Sequence, residues 1–205
     1  SCLKKERVAY VQVDRRGEFG SAYLAMNPAT ELLSPQKYTE LPGLPHDNNA
    51  EYKFAYGYFE YLIRYAKSQR LEVVPATVQS VTPSQSGFDV CYEGCEQPCH
   101  YRIVVLATGI FDHPVIPTID GLNVEQDFPK VIHSRDWRGC EPCRDKRVLI
   151  IGAVMSGVEI AEQGARAGMT VTISSRKRAR LWRRRLLGID VHHFAHLVSH
   201  RLPRW

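Results

Sequence analysis

Val148-Leu149-Ile150-Ile151-Gly152-Ala153-Val154-Met155-Ser156-Gly157 decides how this chain is read. A continuous apolar run leads straight into a glycine-punctuated turn. Val158, Ile160, Ala161 and Ala165 then recur as the apolar stripe of an amphipathic helix would. Eighteen residues beyond Gly157 a second β-branched run closes in Ser174-Ser175-Arg176. The expected elements are a strand over 147–151, a helix over 156–167 and a strand over 170–174, the layout of a βαβ dinucleotide site. Unpaired amides and the helix dipole at such a turn make an anionic phosphate the natural guest. The pattern calls for glycine at 154, where the backbone approaches the guest most closely. Val154 stands there, and its Cβ is expected to crowd the guest or to force a different backbone geometry.

Composition bounds the rest. A chain of 205 residues holds one sizeable domain or two small ones. No apolar run reaches the roughly 18 residues of a spanning helix. Ser1-Cys2-Leu3-Lys4-Lys5-Glu6-Arg7 has no apolar core and does not read as a secretory signal; the missing initiator Met suggests a start partway through a longer chain. The net charge of +5 misleads if taken globally. Arg176, Lys177, Arg178, Arg180, Arg183, Arg184 and Arg185 form one cluster without an acid, and the remainder is mildly acidic. A single basic segment reads as phosphate-contacting or solvated, not as a nucleic-acid footprint, which spreads over a face. Six cysteines do not make a secreted disulfide framework at this length, which points to a reducing cytoplasm.

Along the chain, Val8 to Val13 alternates and ends at Asp14-Arg15-Arg16-Gly17, a strand closing on an acid, with Gly20-Ser21-Ala22-Tyr23 as a following turn. Residues 27–49 read as loop. Phe54, Tyr58, Tyr61, Leu62 and Tyr65 recur at helical spacing over about 52–68, an aromatic face belonging to the core. Strands are expected at Leu71–Val74, Thr77–Val81 and Phe88–Tyr92, and an apolar run from Tyr101 to Leu106 ends in Ala107-Thr108-Gly109. Pro114, Pro117 and Gly121 break the chain before the βαβ unit, and a helical stretch after Gly188 runs up to Pro203.

Taken in order, these segments resemble the flavin-containing monooxygenase family. The matching stretches are Val13-Asp14-Arg15-Arg16 with Gly20-Ser21-Ala22-Tyr23, Leu33-Ser34-Pro35 with Tyr38 to Pro42, and Tyr52 ahead of Tyr61-Leu62. Val104 to Gly109 ahead of Pro114 and Pro117, His133-Ser134-Arg135-Asp136-Trp137-Arg138, and Leu186-Leu187-Gly188 through Leu202-Pro203 complete the series. The resemblance implies an α/β fold: a partial FAD-binding Rossmann-like domain (1–114), a connecting segment (115–145) and a partial NADPH-binding Rossmann βαβ unit (146–205). It implies FAD and NADPH as cofactors, hydride transfer from NADPH to FAD, and oxygenation of a small organic substrate by dioxygen. A flavin-dependent disulfide reductase of the thioredoxin-reductase type, or a truncated inactive nucleotide-binding relative, are the alternatives.

By the same resemblance, Asp14 with Arg15 meets the FAD ribose, Gly20 and Ser21 run beside the flavin with Ser34 also on the cofactor side, and Thr108-Gly109 passes the FAD phosphates. Gly152, Ser156 and Gly157 take the NADPH pyrophosphate, while Ser175 and Arg176 read the 2′-phosphate. No acid stands at that strand end, which favours NADP over NAD. The chain departs from the family at Val154, at Asp127 and Pro129 where an aromatic and a glycine are expected, and in having no phosphate-binding strand and glycine turn before Val8. His133 fits as a coupling residue or as a linker histidine bonding backbone.

Other constellations compete. Cys140-Glu141-Pro142-Cys143 has the spacing of a redox dithiol but lies only nine residues before Gly152. Cys91, Cys95 and Cys99 with that pair are a weaker zinc candidate. His192, His196 and His200 share a helical face with no accompanying carboxylate motif. No Ser-His-Asp arrangement or carboxylate pair is evident.

Overall fold

The structure, a computed structural model, describes residues 2–48, 50–109, 113–122, 130–179 and 183–199. It divides into two compact units. One comprises Ser1–Ala25 with Tyr56–His113, the other Met26–Ala55 with Pro114–Trp205.

In the first unit, α1 (Cys2–Lys5) precedes a short β1 (Val13–Asp14) and α2 (Ser21–Leu24). The long helix α3 (Ala55–Ser68) follows. Its aromatic stripe is core as expected: Tyr58, Tyr61 and Tyr65 are buried, and Tyr61 is fully so. Tyr58 stacks on Tyr61 and meets Tyr23 in an edge-to-face pair with centroids 4.8 Å apart. Phe54, which belongs to the second unit, departs from the expectation. It precedes the helix, its side chain is 55% exposed, and its backbone bridges Glu31. The helix ends where Arg70 turns left-handed and the Leu71 amide reaches back to the Ala66 carbonyl.

Strand β2 (Val74–Pro75) pairs with β1 in parallel, so only the last two residues of the expected Val8–Asp14 strand are laddered. Next come β3 (Val78–Ser84), β4 (Gly87–Tyr92) and β5 (Cys99–Tyr101), an antiparallel meander. The apolar run that the sequence shows from Tyr101 to Leu106 does not continue the sheet. The chain leaves the sheet after Tyr101, and residues 103–109 form no strand. Ile103, Val105 and Leu106 are all more than 70% exposed, because among the described residues no strand lies alongside to pair with them.

In the second unit, residues 27–48 are loop apart from a 3-10 turn at Gln36–Tyr38, in line with their Pro and Asn content. The loop is pinned from inside by polar groups. Buried Gln36 donates to Asn48 Oδ1 and the Ala50 carbonyl, and buried Lys53 pairs with Asp47 at 3.0 Å.

The decisive unit forms as read. Strand β6 (Arg147–Ile151) and β7 (Thr170–Ser174) pair in parallel from Arg147↔Thr170 to Ile151↔Ser174, joined by α4 (Met155–Arg166). Gly168 at φ +80° ends α4, with its amide on the Ala165 carbonyl and the Met169 amide on that of Gly164, a Schellman closure. Gly164 is buried where an added Cβ would meet Val171 at 2.9 Å. Trp137, also buried, donates its indole N–H to Gln163 of α4 at 3.2 Å. A hairpin of β8 (Arg185–Leu186) and β9 (Ile189–Asp190) leads into α5 (Val191–Ser199). The expected end of that helix at Pro203, like Asp127, Pro129, Arg180 and His200, lies outside the described residues.

Tyr61→Ala should cost about 3 kcal/mol of unfolding free energy, the scale of a fully buried aromatic truncation. Phe54→Ala should fall within about 0.5 kcal/mol of the parent. Urea unfolding of both variants checks the contrast; equal losses would place Phe54 in the core.

Candidate functional site

The turn between β6 and α4 is built on two glycines. Gly152 sits at φ +111° and its amide extends the ladder by donating to the Ser174 carbonyl at 2.8 Å. Gly157 lies against it: a Cβ there would stand 2.2 Å from the Gly152 carbonyl oxygen and 3.3 Å from Ile150. No side chain fits, which is what the last glycine of such a turn is for. Val154 caps the helix with extended backbone (φ −102°, ψ −176°) and no side-chain cap bond. The valine thus sits in ordinary extended backbone. Its side chain is 76% exposed at the mouth of the turn. The first turn of α4 contains no acid. Ser156 is exposed on that turn, and Ser175 and Arg176 are exposed directly after β7. The Ser175 hydroxyl donates to the Lys177 carbonyl at 2.6 Å, folding 175–177 into a tight bend. Gly152, Ser156, Gly157, Ser175 and Arg176 thus flank the carboxyl ends of one parallel strand pair, where dinucleotides bind in this architecture.

In the first unit, Asp14 at the end of β1 accepts the Arg16 amide on Oδ1 at 2.8 Å, and its carbonyl accepts the Gly17 amide. Arg16 in turn donates to the Ser21 carbonyl at 3.1 Å. Gly20, left-handed at φ +75°, lets the loop close on α3, where a Cβ would meet Leu62 at 2.8 Å. Asp14, Gly20 and Ser21 therefore share one hydrogen-bonded loop, with Arg15 exposed on it. Thr108 and Gly109 are not brought to it. Both are exposed on the irregular segment, and among the described residues no hydrogen bond ties them to the loop.

Ser34 belongs to a cluster that the sequence did not reveal. Asp190, 1% exposed, accepts the Tyr52 hydroxyl on Oδ2, and the His192 amide (2.8 Å) and ring Nδ1 (2.7 Å) on Oδ1. The other ring nitrogen of His192, Nε2, lies 3.4 Å from the Ser34 hydroxyl. The Arg184 guanidinium lies 3.3 Å over the Tyr52 ring, pairs with Glu31 at 2.7 Å and donates to the Leu32 carbonyl. Arg185 pairs with Glu51. A Ser-His-Asp chain is therefore present, contrary to the sequence reading, but Asp190 uses it to cap α5 and to tie the loop carrying Tyr52 to the end of the chain. Burial pushes the Asp190 carboxyl up, and the hydrogen bonds from Tyr52 and His192 outweigh it, holding the group below its usual 3.8. No local signal announces this cluster, since Tyr52 and Asp190 are 138 positions apart.

The remaining candidates resolve locally. His133 Nδ1 accepts the Arg135 amide at 3.1 Å. His193 bonds the Tyr38 hydroxyl at 2.8 Å, and His196 packs against the same ring. Val90 faces Cys99 across β4 and β5, so Cys91 and Cys99 occupy opposite sheet faces. Among the described residues no group of three or more His, Cys, Asp or Glu could hold a metal. No helix among them is long and apolar enough to cross a membrane.

A parallel strand pair joined by a glycine-closed helix defines an α/β protein of the dinucleotide-binding class. Residues 10–187 match the family described as pyridine nucleotide-disulphide oxidoreductase, and the chain belongs to that family. It is 28% identical to the probable indole-3-pyruvate monooxygenase YUCCA9 of Arabidopsis thaliana over the whole of this chain and 50% of that one. The chain spans about half the length of the curated relatives it matches end to end. Its fold is shared with a double-mutant flavin monooxygenase from Stenotrophomonas maltophilia (TM-score 0.82, 23% identity, 97% of this chain and 58% of that one). The bacillithiol disulfide reductase Bdr of Staphylococcus aureus also superposes (TM-score 0.75, 19% identity, 97% and 58%).

Asp190 carries a depressed carboxyl, so its contribution to stability is full above the unfolded value and is lost as pH falls through the folded one. Asp190→Asn should therefore lower the urea midpoint at pH 7, and the gap to the parent should shrink at a pH of about 3. A gap independent of pH would deny the carboxylate its charged role.

Proposed function

We propose that this chain supplies the NADPH site and part of the FAD site of a flavin-dependent monooxygenase acting on a small organic substrate with dioxygen. One observation carries the reading: β6, α4 and β7 form a parallel unit whose Gly157 closes on Gly152, with a basic, acid-free bend after the second strand. Curated relatives with monooxygenase names favour it over the disulfide reductase alternative.

The residues fit the nucleotide chemically. The amides at the start of α4, with Gly152, Ser156 and Gly157, would receive the pyrophosphate of NADPH. Ser175 and Arg176 would receive its 2′-phosphate, where a guanidinium fork suits a dianion. Asp14, with one carboxylate oxygen on the Arg16 amide, would take the adenosine ribose of FAD with Arg15 beside it, and Gly20 and Ser21 would pass the flavin side. Thr108 and Gly109 belong with the FAD phosphates, and Ser34 with the cofactor-facing loop. The cofactors supply hydride transfer and oxygen chemistry; this chain binds, orients and screens them from water. In domain terms, 1–114 carries the FAD part, 115–145 connects, and 146–205 carries the NADPH part. The six free thiols fit a reducing cytoplasm.

Calorimetric titration tests the assignment. Arg176→Glu should weaken NADPH about tenfold, the scale of one charge-assisted contact, while leaving NADH nearly unchanged. Equal losses for both nucleotides would remove Arg176 from the site. Val154→Gly should tighten NADPH severalfold, because the extended backbone at 154 already accepts glycine and only the exposed side chain is removed. An unchanged affinity would show that the pyrophosphate passes elsewhere.

A further inference from the structure

We propose that Ser86 is an activated nucleophile, with His100 as its general base and Asp89 as the positioning residue, that accepts the acyl group of reactive carboxylic esters. The three side chains come from one antiparallel meander. Asp89 of β4 stands directly opposite His100 of β5 in the ladder, so both side chains leave the same face of the sheet. Ser86 lies in the two-residue turn that joins β3 to β4, beyond the closing pair Ser84↔Gly87. Gly87 brings the two ends together. A Cβ there would stand 2.2 Å from the Tyr101 carbonyl oxygen and 2.8 Å from Arg102 Cα, so only a bare position lets the end of β5 reach the hairpin tip.

The His100 ring bridges the other two side chains. Its Nδ1 is 2.9 Å from Asp89 Oδ1, and its Nε2 is 3.2 Å from Ser86 Oγ. An ionised carboxylate only accepts, so Nδ1 carries the proton, and in the neutral ring Nε2 keeps its lone pair for the Ser86 hydroxyl. Ser84 Oγ makes a longer contact with the same Nδ1, at 3.4 Å. Strand register holds the pair more than attraction does: with 44% and 42% of the side chains exposed, the ion pair contributes little by itself. The same exposure, with Ser86 itself on the surface, lets an ester reach the hydroxyl. Ser86 Oγ attacks the carbonyl carbon while His100 Nε2 takes its proton. The bond to the leaving oxygen then breaks, and the alcohol departs with the proton from Nε2. Ester and serine become acyl-serine and alcohol, with no change of oxidation state. None of the residues assigned to either nucleotide takes part.

p-Nitrophenyl acetate is the probe, with the full chain under native conditions. Neutral hydroxylamine then strips acetyl groups from thiols, phenols and imidazoles and leaves them on serine. Trypsin releases Leu71–Arg102, a lysine-free peptide holding the whole meander, and fragmentation locates the label. One acetyl group should sit on Ser86. His100→Gln should slow its formation about tenfold, short of the roughly hundredfold of an enclosed general base because water reaches this ring. Asp89→Asn should slow it severalfold. Ser80→Ala, on the same strand as Ser84 but opposite Cys91, should label Ser86 as the parent does. Circular dichroism of the variants confirms that the fold is retained. Nitrogen NMR of the neutral ring should place the His100 proton on Nδ1 in the parent and distribute it between the two nitrogens in Asp89→Asn. A peptide without acetyl, acetyl on another hydroxyl, or labelling indifferent to His100→Gln would overturn the nucleophile and its base. A parent ring protonated on Nε2, or labelling indifferent to Asp89→Asn, would overturn the positioning role.

Discussion

The approach of Gly157 to the Gly152 carbonyl is the constraint on which the second unit is built. Any Cβ at 157 would intrude to 2.2 Å of that oxygen, so α4 starts directly over the end of β6 only because the position is bare. Once the helix is seated there, Gly164 brings its far end against Val171 and Met169. The Gly168 closure then drops the chain into β7 in register with β6. The same close start leaves the first-turn amides of α4 opening at the carboxyl ends of both strands. Helix placement and the opening of those amides therefore share one cause.

Parallel strands are ordinarily covered on both faces, and these are not. Leu149 and Ile151 on β6 and Ile173 on β7 are exposed, and in the first unit Ile103, Val105 and Leu106 stand in the open. The apolar pattern of both segments was legible in the sequence, yet only one of them became a strand. Residues 147–151 find a partner through α4, a connection written into the neighbouring sequence. Residues 103–106 have no such local partner. A strand is a property of a pair, and an apolar run states only half of it.

The same distinction separates what was legible at the sites from what was not. Gly152, Gly157 and the strand ends around them follow from spacing within thirty residues, because a βαβ unit is a local solution to local patterning. The aromatic stripe of α3 was legible for the same reason, and Phe54 was misassigned because periodicity alone does not mark where a helix begins. The Asp190 cluster was invisible. Glu31 and Ser34 read as loop, Tyr52 as the start of the aromatic helix, Arg184 as one of seven cations in a phosphate-contacting or solvated cluster, and only folding brings them together.

The basic cluster shows why a run of charge does not define a surface. Arg184 and Arg185 lie within the acid-free stretch, yet each is engaged by a carboxylate from the 31–51 loop. Arg184 is further fixed by the Tyr52 ring, with its Nε 3.8 Å from the buried Asp190. Their positive charge is spent inside the unit, balanced by Glu31, Glu51 and Asp190. Arg176, Lys177 and Arg178 are exposed at the bend immediately after β7. Among these five cations, folding thus separates a structural half, Arg184 and Arg185, from an available half, Arg176 to Arg178. The available half sits at the end of the second strand, where a phosphate beyond the pyrophosphate would fall.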